Sequence, residues 1–270
     1  MNRRAGISSL AFVFTLLTLL LTGCAIKPPA TIPLEEDARP HVLERLQVFQ
    51  QQECPRFLDV DTTIVWKAYG STRKIPATLQ VAPPNLLRFS VVDPLGRPLV
   101  ILAGDGETFT LINNREAKAL RGSVHASFWR RYLPVLPEQN DYPGWLLGRL
   151  PWKDETAADI RREKNDRSTV WLVSPGQDTL RHHVLFDPGS LRVRRRLIED
   201  ERGAILLDVL YEKYQNDELG CPIPHRLTVK GAEIDGTIRF LFGTVYPSKT
   251  IGENWFHLTI PPHFQLETVR

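Results

Sequence analysis

The sequence predicts a mainly β protein, built as a long antiparallel meander with an N-terminal helix and a short apolar helical insert in its middle. Three observations predict this class. Many short segments are rich in β-forming residues that alternate between apolar and polar. Turn-forming residues separate these segments at intervals of about 8–12 residues, as in an antiparallel sheet. Two stretches instead carry apolar residues at helical spacing.

The first predicted element is a helix over residues 38–52. Val42, Leu43, Leu46 and Phe49 are spaced i, i+1, i+4, i+7, which places them on one stripe of an amphipathic helix. Pro55 disfavours helical geometry in the residue before it, so the helix should end ahead of that position.

The period then changes to two, and six strands are predicted in the first half of the meander. Their turns carry strong signals, including Asp93-Pro94-Leu95-Gly96 and Gly104-Asp105-Gly106. The predicted strands are residues 57–66, 75–81, 86–92, 98–103, 108–113 and 116–121.

The insert consists of two predicted helical pieces, residues 124–132 and 144–150, separated by prolines. Large apolar side chains are dense in both pieces. One interpretation is a lid over an apolar ligand cavity, because aromatic residues line many apolar ligand sites. The other interpretation is ordinary packing of helices on a sheet. The candidate lid residues are Phe128, Trp129, Tyr132, Trp145, Leu146 and Leu147.

Strands resume after the insert, and residues 254–266 are expected to add an edge strand whose pairing Pro261 and Pro262 limit. No internal repeat or second linker interrupts the chain, so residues 41–270 are predicted to form one domain. The second set of predicted strands is residues 168–173, 179–187, 191–199, 204–216, 224–230 and 236–246.

The N-terminus has the composition of an export signal over residues 1–23. Arg3 and Arg4 precede an apolar segment of about a dozen residues, which is too short to span a bilayer as a stable helix. The segment ends in Leu-Thr-Gly-Cys, which resembles the lipobox of bacterial lipoproteins. That resemblance implies cleavage before Cys24 and attachment of diacylglycerol and acyl lipid to it, with no other cofactor. An ordinary signal peptide with a chance cysteine, or an uncleaved anchor, is the alternative.

In lipoproteins of this type the residue after the cysteine acts as an address, and Asp there retains the protein in the inner membrane. Here the residue is Ala25, so the resemblance implies the outer membrane, with the body facing the periplasm. Residues 24–40 are polar and proline-rich, which predicts an extended lipidated tether.

Two cysteines remain once Cys24 carries lipid. Cys54 and Cys221 each precede a proline, and in an oxidising periplasm the pair predicts one disulfide. Two buried free thiols are the alternative. No histidine or third cysteine stands at ligand spacing, so no metal site is expected.

Charge and motifs argue against several function classes. The chain has 34 Lys and Arg against 31 Asp and Glu, and loss of residues 1–23 removes two arginines and no acid, so the balance falls from +3 to +1. This gives no basis for nucleic-acid binding. His182 and His183 are adjacent on a predicted strand and point to opposite faces, so they cannot share a metal ion. No hydrolase or phosphate-binding motif is present, and the chain is expected not to be an enzyme.

Two runs carry a resemblance to a known superfamily. They are Leu87-Arg88-Phe89-Ser90-Val91-Val92-Asp93-Pro94-Leu95-Gly96-Arg97-Pro98-Leu99 and Ala103-Gly104-Asp105-Gly106-Glu107-Thr108-Phe109-Thr110-Leu111. With the order of elements, they resemble the lipoprotein-localisation (Lol) superfamily, LolB-like outer-membrane lipoproteins in particular. The resemblance implies a strongly curved, incompletely closed antiparallel half-barrel whose open mouth is covered by helices.

The same resemblance implies a function. A LolB-like protein takes acylated lipoproteins from a periplasmic carrier, holds their acyl chains in an apolar cavity and releases them into the outer membrane. Leu95 matches the apolar residue on the protruding loop that helps this transfer; alternatively, it folds back on the barrel rim. A monomer is expected. The competing hypothesis is a sensor or structural lipoprotein that binds lipid or protein without transferring it.

Overall fold

The computed structural model describes residues 28–52, 57–82, 85–126, 142–150, 159–175, 180–216, 221–232, 234–247 and 253–269. These residues form one large curved sheet that does not close into a barrel. The sheet has 15 strands in the order β1-β8-β9-β10-β11-β12-β13-β14-β2-β3-β4-β5-β6-β7-β15. The predicted mainly β half-barrel is therefore confirmed.

The elements have the following bounds. The helices are α1 (Arg39–Gln50), α2 (Tyr142–Leu146) and a 3-10 turn (Glu253–Phe256). The strands are β1 (Thr31–Pro33), β2 (Leu58–Ala68), β3 (Ser71–Ala82), β4 (Leu86–Val92), β5 (Pro98–Gly104), β6 (Thr108–Asn113), β7 (Lys118–Ser123), β8 (Asp159–Glu163), β9 (Val170–Pro175), β10 (Arg181–Asp187), β11 (Arg192–Glu199), β12 (Ile205–Asn216), β13 (Pro222–Gly231), β14 (Ile234–Pro247) and β15 (Gln265–Val269).

Two meanders are joined side by side in this sheet. Strands β2 to β7 pair in sequence order, as do β8 to β14, and β14 then pairs antiparallel with β2. The outermost strands are short and come from the chain's ends: β1 pairs with β8, and β15 runs parallel to β7. Parallel pairing requires a crossover, and the segment between β14 and β15 provides one.

Helix α1 packs on one face of the sheet, here called the inner face. Its apolar stripe, Val42, Leu46 and Phe49, is buried, and the Phe49 and Phe186 rings meet edge to face with centroids 5.3 Å apart. Burial of side chains of this size stabilises the fold by about 2 kcal/mol each. The main core therefore lies between α1 and strands β8 to β14 with β2 and β3.

The C-terminal segment crosses the opposite, outer face. Trp255 donates its indole N–H to Gln80 Oε1 over 3.1 Å, and the Arg88 guanidinium lies 4.7 Å from the centre of the Trp255 ring. The Phe256 and Phe57 rings meet at 6.0 Å. The expected C-terminal edge strand is thus shorter than predicted and lies at residues 265–269, because the residues before it cover β2 to β4 instead.

The predicted tether is partly bound to the body. Of residues 24–40, Thr31–Pro33 pair with β8, and the Leu34 N–H donates to the Ile160 carbonyl over 3.0 Å. Arg162 forms an ion pair with Glu35 next to this strand. Neither β1 nor β8 was predicted, because each short strand depends on the other.

The part of the chain that the structure describes contains no helix long and apolar enough to cross a membrane.

Candidate functional site

The inner face is closed in one half of the sheet and open in the other. One row of apolar side chains, paired across neighbouring strands, shows how burial differs between the two halves. Val60 and Leu79, at one end of the row, are each 4% exposed and lie in the main core. The side chains of the row on β4 to β7 are only half-buried. The row runs through the registered pairs Val60–Leu79, Leu79–Phe89, Phe89–Leu102, Leu102–Leu111 and Leu111–Leu120. Along this row the side chains are therefore only half-buried from β4 onward, although Phe109 on the same face of β6 is 2% exposed.

We call the half-buried apolar surface of β4 to β7 the open inner face, defined by Leu87, Phe89, Val91, Val100, Leu102, Leu111 and Leu120. On the outer face of the same strands Ala103, Ile112 and Ala119 are 2%, 4% and 0% exposed, whereas Leu99 and Ile101 are half-buried and Arg121 is exposed. Leu87 and Phe89 pack against the edge of the main core, and the other residues of the open inner face extend it as a half-buried apolar surface. An apolar surface that stays partly accessible is a candidate binding surface.

Residues 142–150 lie at the boundary between the main core and the open inner face. The Tyr211 hydroxyl donates to the Trp145 carbonyl over 2.8 Å, and Arg196 Nη2 donates to the Arg149 carbonyl over 2.8 Å. Helix α2 also contacts β4, the first strand of the open inner face. The segment is therefore tied to β11 and β12 and reaches the edge of the open surface.

The candidate lid residues in this segment, Trp145, Leu146 and Leu147, are half-buried and pack against the main core. Both the lid and the core-packing interpretations place these side chains inside, so the choice between them stays a prediction. The other candidates, Phe128, Trp129 and Tyr132, lie outside the described residues, so their assignment stays a prediction.

Gly148 allows the segment to lie this close to the sheet. Its φ is +68°, and a Cβ there would lie 2.6 Å from the Tyr214 hydroxyl oxygen. That hydroxyl donates to the Val193 carbonyl over 2.5 Å, and burial raises the pKa of Tyr214. A side chain at this position would therefore displace the segment from β12.

Leu95 projects from the β4–β5 turn and is 77% exposed. Asp93 holds the turn: its Oδ1 accepts the backbone N–H groups of Leu95 and Arg97 over 2.8 and 2.9 Å, and its Oδ2 accepts the Arg97 Nε–H over 2.8 Å. These hydrogen bonds, with that of the Arg97 backbone the largest, lower the pKa of Asp93. An apolar side chain is thus held in solvent by an ordered turn and does not fold back on the rim.

The cysteines are only partly described. Cys221 is 5% exposed and lies directly before β13, with Arg149 Nη2 2.7 Å from its sulfur. Cys54 and Cys24 lie outside the described residues, so the disulfide and the lipidation stay predictions.

The two adjacent histidines face opposite sides of the sheet, as expected. His182 is 3% exposed on the inner side, and its burial, with the nearby Arg196 charge, lowers its pKa to about 4. His183 lies on the outer side, with Nε2 2.5 Å from Glu199 Oε2. Glu199 was not identified from the sequence because its contact depends on strand register. Among the described residues, no group of three or more His, Cys, Asp or Glu is placed to hold a metal ion.

A cavity of about 340 Å³ lies elsewhere, between the C-terminal segment and β5 to β7. Its lining includes Asp105, Thr108, Thr110, Arg121 and His257 beside Phe109 and Phe256. With so many polar groups, this cavity does not match the apolar acyl-chain site that the sequence predicts.

No protein-family model matches the chain, and no curated protein matches its sequence. Its fold matches solved structures. A LolA superfamily protein from Nitrosomonas europaea superposes with a TM-score of 0.55 at 12% identity, over 81% of this chain and 97% of that one. The chain has the LolA-like fold.

Two further structures agree in fold. An outer membrane lipoprotein-sorting protein domain from Vibrio parahaemolyticus gives a TM-score of 0.52 at 11% identity, covering 80% of this chain and 94% of that one. A DUF1329 family protein from Desulfovibrio piger gives 0.57 at 8% identity, covering 83% and 98%. At these identities the LolA-like fold is shared, but no residue's role transfers from one protein to another.

Proposed function

We propose that this chain is a periplasm-facing lipoprotein, anchored to the outer membrane through lipid on Cys24, that binds acyl chains on its open inner face. We further propose that it acts in the sorting of lipoproteins or their insertion into the outer membrane. The open inner face is the observation that carries the proposal. The Leu-Thr-Gly-Cys motif, Ala25 and the lipoprotein-sorting protein with this fold support the location.

The open inner face suits an acyl chain in shape and chemistry. The row Phe89–Leu102–Leu111–Leu120 crosses four neighbouring strands, which lie about 4.8 Å apart. This makes an apolar path about 15 Å long. Each buried CH₂ contributes about 0.8 kcal/mol to binding, so a chain lying along the row is held reversibly if only part of it is covered.

Leu95 supports a role in release. The β4–β5 turn that presents it connects two strands of the open inner face, so a membrane that contacts Leu95 also lies near one end of the proposed acyl site. An exposed leucine costs little to insert into lipid, because its transfer from water is favourable. We infer that this turn brings the acyl site to the bilayer.

The proposal is tested with the mature chain from residue 24 carrying Cys24→Ser, so that no acyl chain of its own is attached. Binding of a fluorescent fatty acid is titrated for the parent chain and for Leu111→Glu. A carboxylate on the open inner face is expected to weaken binding at least about tenfold, because an acyl chain cannot solvate it. The matched control is Leu210→Glu, which places the same change on the outer face at a leucine that is 37% exposed.

Equal binding by Leu111→Glu and Leu210→Glu, with circular dichroism unchanged, would contradict the proposed site. Transfer is then measured separately, as the rate at which bound fatty acid moves to vesicles. Leu95→Glu is expected to slow this rate without changing affinity. An unchanged rate would favour the non-transferring sensor or structural lipoprotein.

A further inference from the structure

The β2–β3 hairpin has a tip with an unusual combination of exposed side chains. Tyr69 is 86% exposed, the highest value among the described large hydrophobic residues, and Trp66 is 37% exposed. Residues 66–74 also contain Lys67, Arg73 and Lys74, all exposed, and no acidic residue. The tip therefore combines two aromatic rings with a net charge of three positive units.

The hairpin projects beyond its neighbour on one side. Pairing of β3 with β4 stops at Ala77–Val91, and Pro76 lies opposite Val92, so residues 71–75 of β3 extend past the end of β4. Five residues of strand measure about 17 Å. Since β2 and β4 run in the same direction, this tip lies at the same end of the sheet as the Leu95 turn.

The tip is ordered. Tyr69 and Gly70 form a two-residue turn with φ of 49° and 72°, and positive values at both positions are those of a type I′ turn. Asn and Gly are the usual residues there, so a tyrosine with positive φ is costly for folding alone. The Trp66 indole N–H donates to the Asp235 carbonyl over 2.9 Å, which fixes the second ring.

The cations at the tip are available to a ligand. No carboxylate among the described residues forms an ion pair with Lys67, Arg73 or Lys74. The Asp235 carboxylate accepts a hydrogen bond from the Tyr69 hydroxyl and raises the pKa of Tyr69. Amphipathic aromatic rings beside Lys and Arg are the combination that anchors proteins at an anionic membrane surface.

We propose that the β2–β3 hairpin tip is a second membrane contact, distinct from Leu95, that binds anionic lipid headgroups. Trp66 and Tyr69 lie at the interface, while Lys67, Arg73 and Lys74 contact headgroup phosphates. This inference rests on the proposed function, since it places the hairpin beside the membrane that receives the acyl chain. Together the two contacts orient the open inner face relative to the bilayer.

The test uses the unacylated mature chain, because the lipid anchor would mask a weaker contact. Every described strand and helix lies after residue 30, so this chain keeps the whole described fold. Its flotation is measured with vesicles containing phosphatidylglycerol and with vesicles of phosphatidylcholine alone. Binding to the anionic vesicles is expected to be stronger and to fall with added salt.

The triple variant K67Q/R73Q/K74Q is expected to bind anionic vesicles about 100-fold more weakly, from about fivefold per basic residue. Tyr69→Ser is expected to weaken binding to both kinds of vesicle. The matched control K164Q/R202Q/K213Q removes three other exposed basic residues and is expected to bind like the parent chain. Thermal unfolding checks that each variant is folded.

Equal binding by the two triple variants, or an absence of vesicle binding by the parent chain, would overturn the hairpin contact. If the tip binds an acidic protein and not a membrane, the parent chain is expected not to bind vesicles. Fatty-acid binding by the hairpin variants is also measured, so that failure of the hairpin contact is distinguished from failure of the acyl site. If it is retained while flotation is unaffected by K67Q/R73Q/K74Q, the hairpin inference fails and the acyl site stands; if the parent chain floats but binds no fatty acid, the acyl site fails alone.

Discussion

His182 shows at the scale of one residue how strand alternation decides chemistry. It points into the inner side and is almost completely buried, whereas His183 beside it points outward to Glu199. The sequence predicted the opposite orientations, because alternation is a property of every strand. It did not predict which histidine would be buried, because that depends on the helix packed against the inner face.

The pKa of about 4 for His182 predicts an acid-sensitive fold. In the unfolded chain the imidazole takes up a proton near pH 6.5, but in the folded protein only near pH 4. The unfolded state therefore binds more protons in this window, and stability falls as the pH drops from 6.5 to 4, by on the order of 3 kcal/mol from this residue. Urea unfolding of the unacylated chain at several pH values is expected to show this decline. It should be smaller in His182→Gln and unchanged in His41→Gln, an exposed histidine; equal declines in all three would contradict the assignment.

At the same scale, the proposed location depends on lipid attached to Cys24. Cys24→Ala is expected to abolish incorporation of labelled palmitate and to leave an unprocessed precursor, because the thiol is the atom that would receive the lipid. Gel electrophoresis of labelled cells measures both effects. Cys54→Ala serves as the control and is expected to retain label. Label retained by Cys24→Ala would refute lipidation at this position.

At the scale of elements, the sequence was most informative where a pattern is local. The stripe from Val42 to Phe49 predicted α1 within two residues at each end, and alternation predicted β4 and β6 with their observed bounds. Strands β1, β8 and β15 were missed or misplaced, because their stability comes from partners far away in the sequence. The open inner face was also beyond prediction, since it depends on the register that aligns Phe89, Leu102 and Leu111.

The β1–β8 pairing is expected to depend on acid through Glu35. Arg162 hydrogen-bonds this carboxylate and lowers its pKa to about 2. Because the pKa of Glu35 is lowered in the folded state, the ion pair stabilises the fold above pH 4.5, the usual pKa of this carboxyl group. That stabilisation is lost as the pH falls toward 2. The protection factor of the Leu34 amide, which is its exchange rate corrected for the intrinsic pH dependence, is expected to fall over this range. Glu35→Gln should exchange faster already at neutral pH, whereas Glu44→Gln, on the exposed side of α1, should match the parent; equal rates in both variants would contradict the role of the pair.

At the scale of the whole molecule, the sheet is unevenly covered. Helix α1 and residues 142–150 cover the inner side of β8 to β13, while the C-terminal segment covers the outer side of β2 to β4. Among the residues that the structure describes, the inner side of β4 to β7 is left apolar and only half-buried. A binding surface in a LolA-like fold needs no cluster of catalytic side chains. The proposed function therefore depends on whether an acyl chain lies on the open inner face.

Site-specific photocrosslinking in cells tests that location most directly. A benzophenone amino acid is placed at Leu111 on the open inner face or at Leu210 on the outer face, and cells grown with labelled palmitate are irradiated. The account predicts a palmitate-labelled adduct, of larger mass than the protein's own lipidated form, at position 111 and none at position 210. Equal adducts at both positions, or an adduct only at 210, would contradict an acyl site on the open inner face.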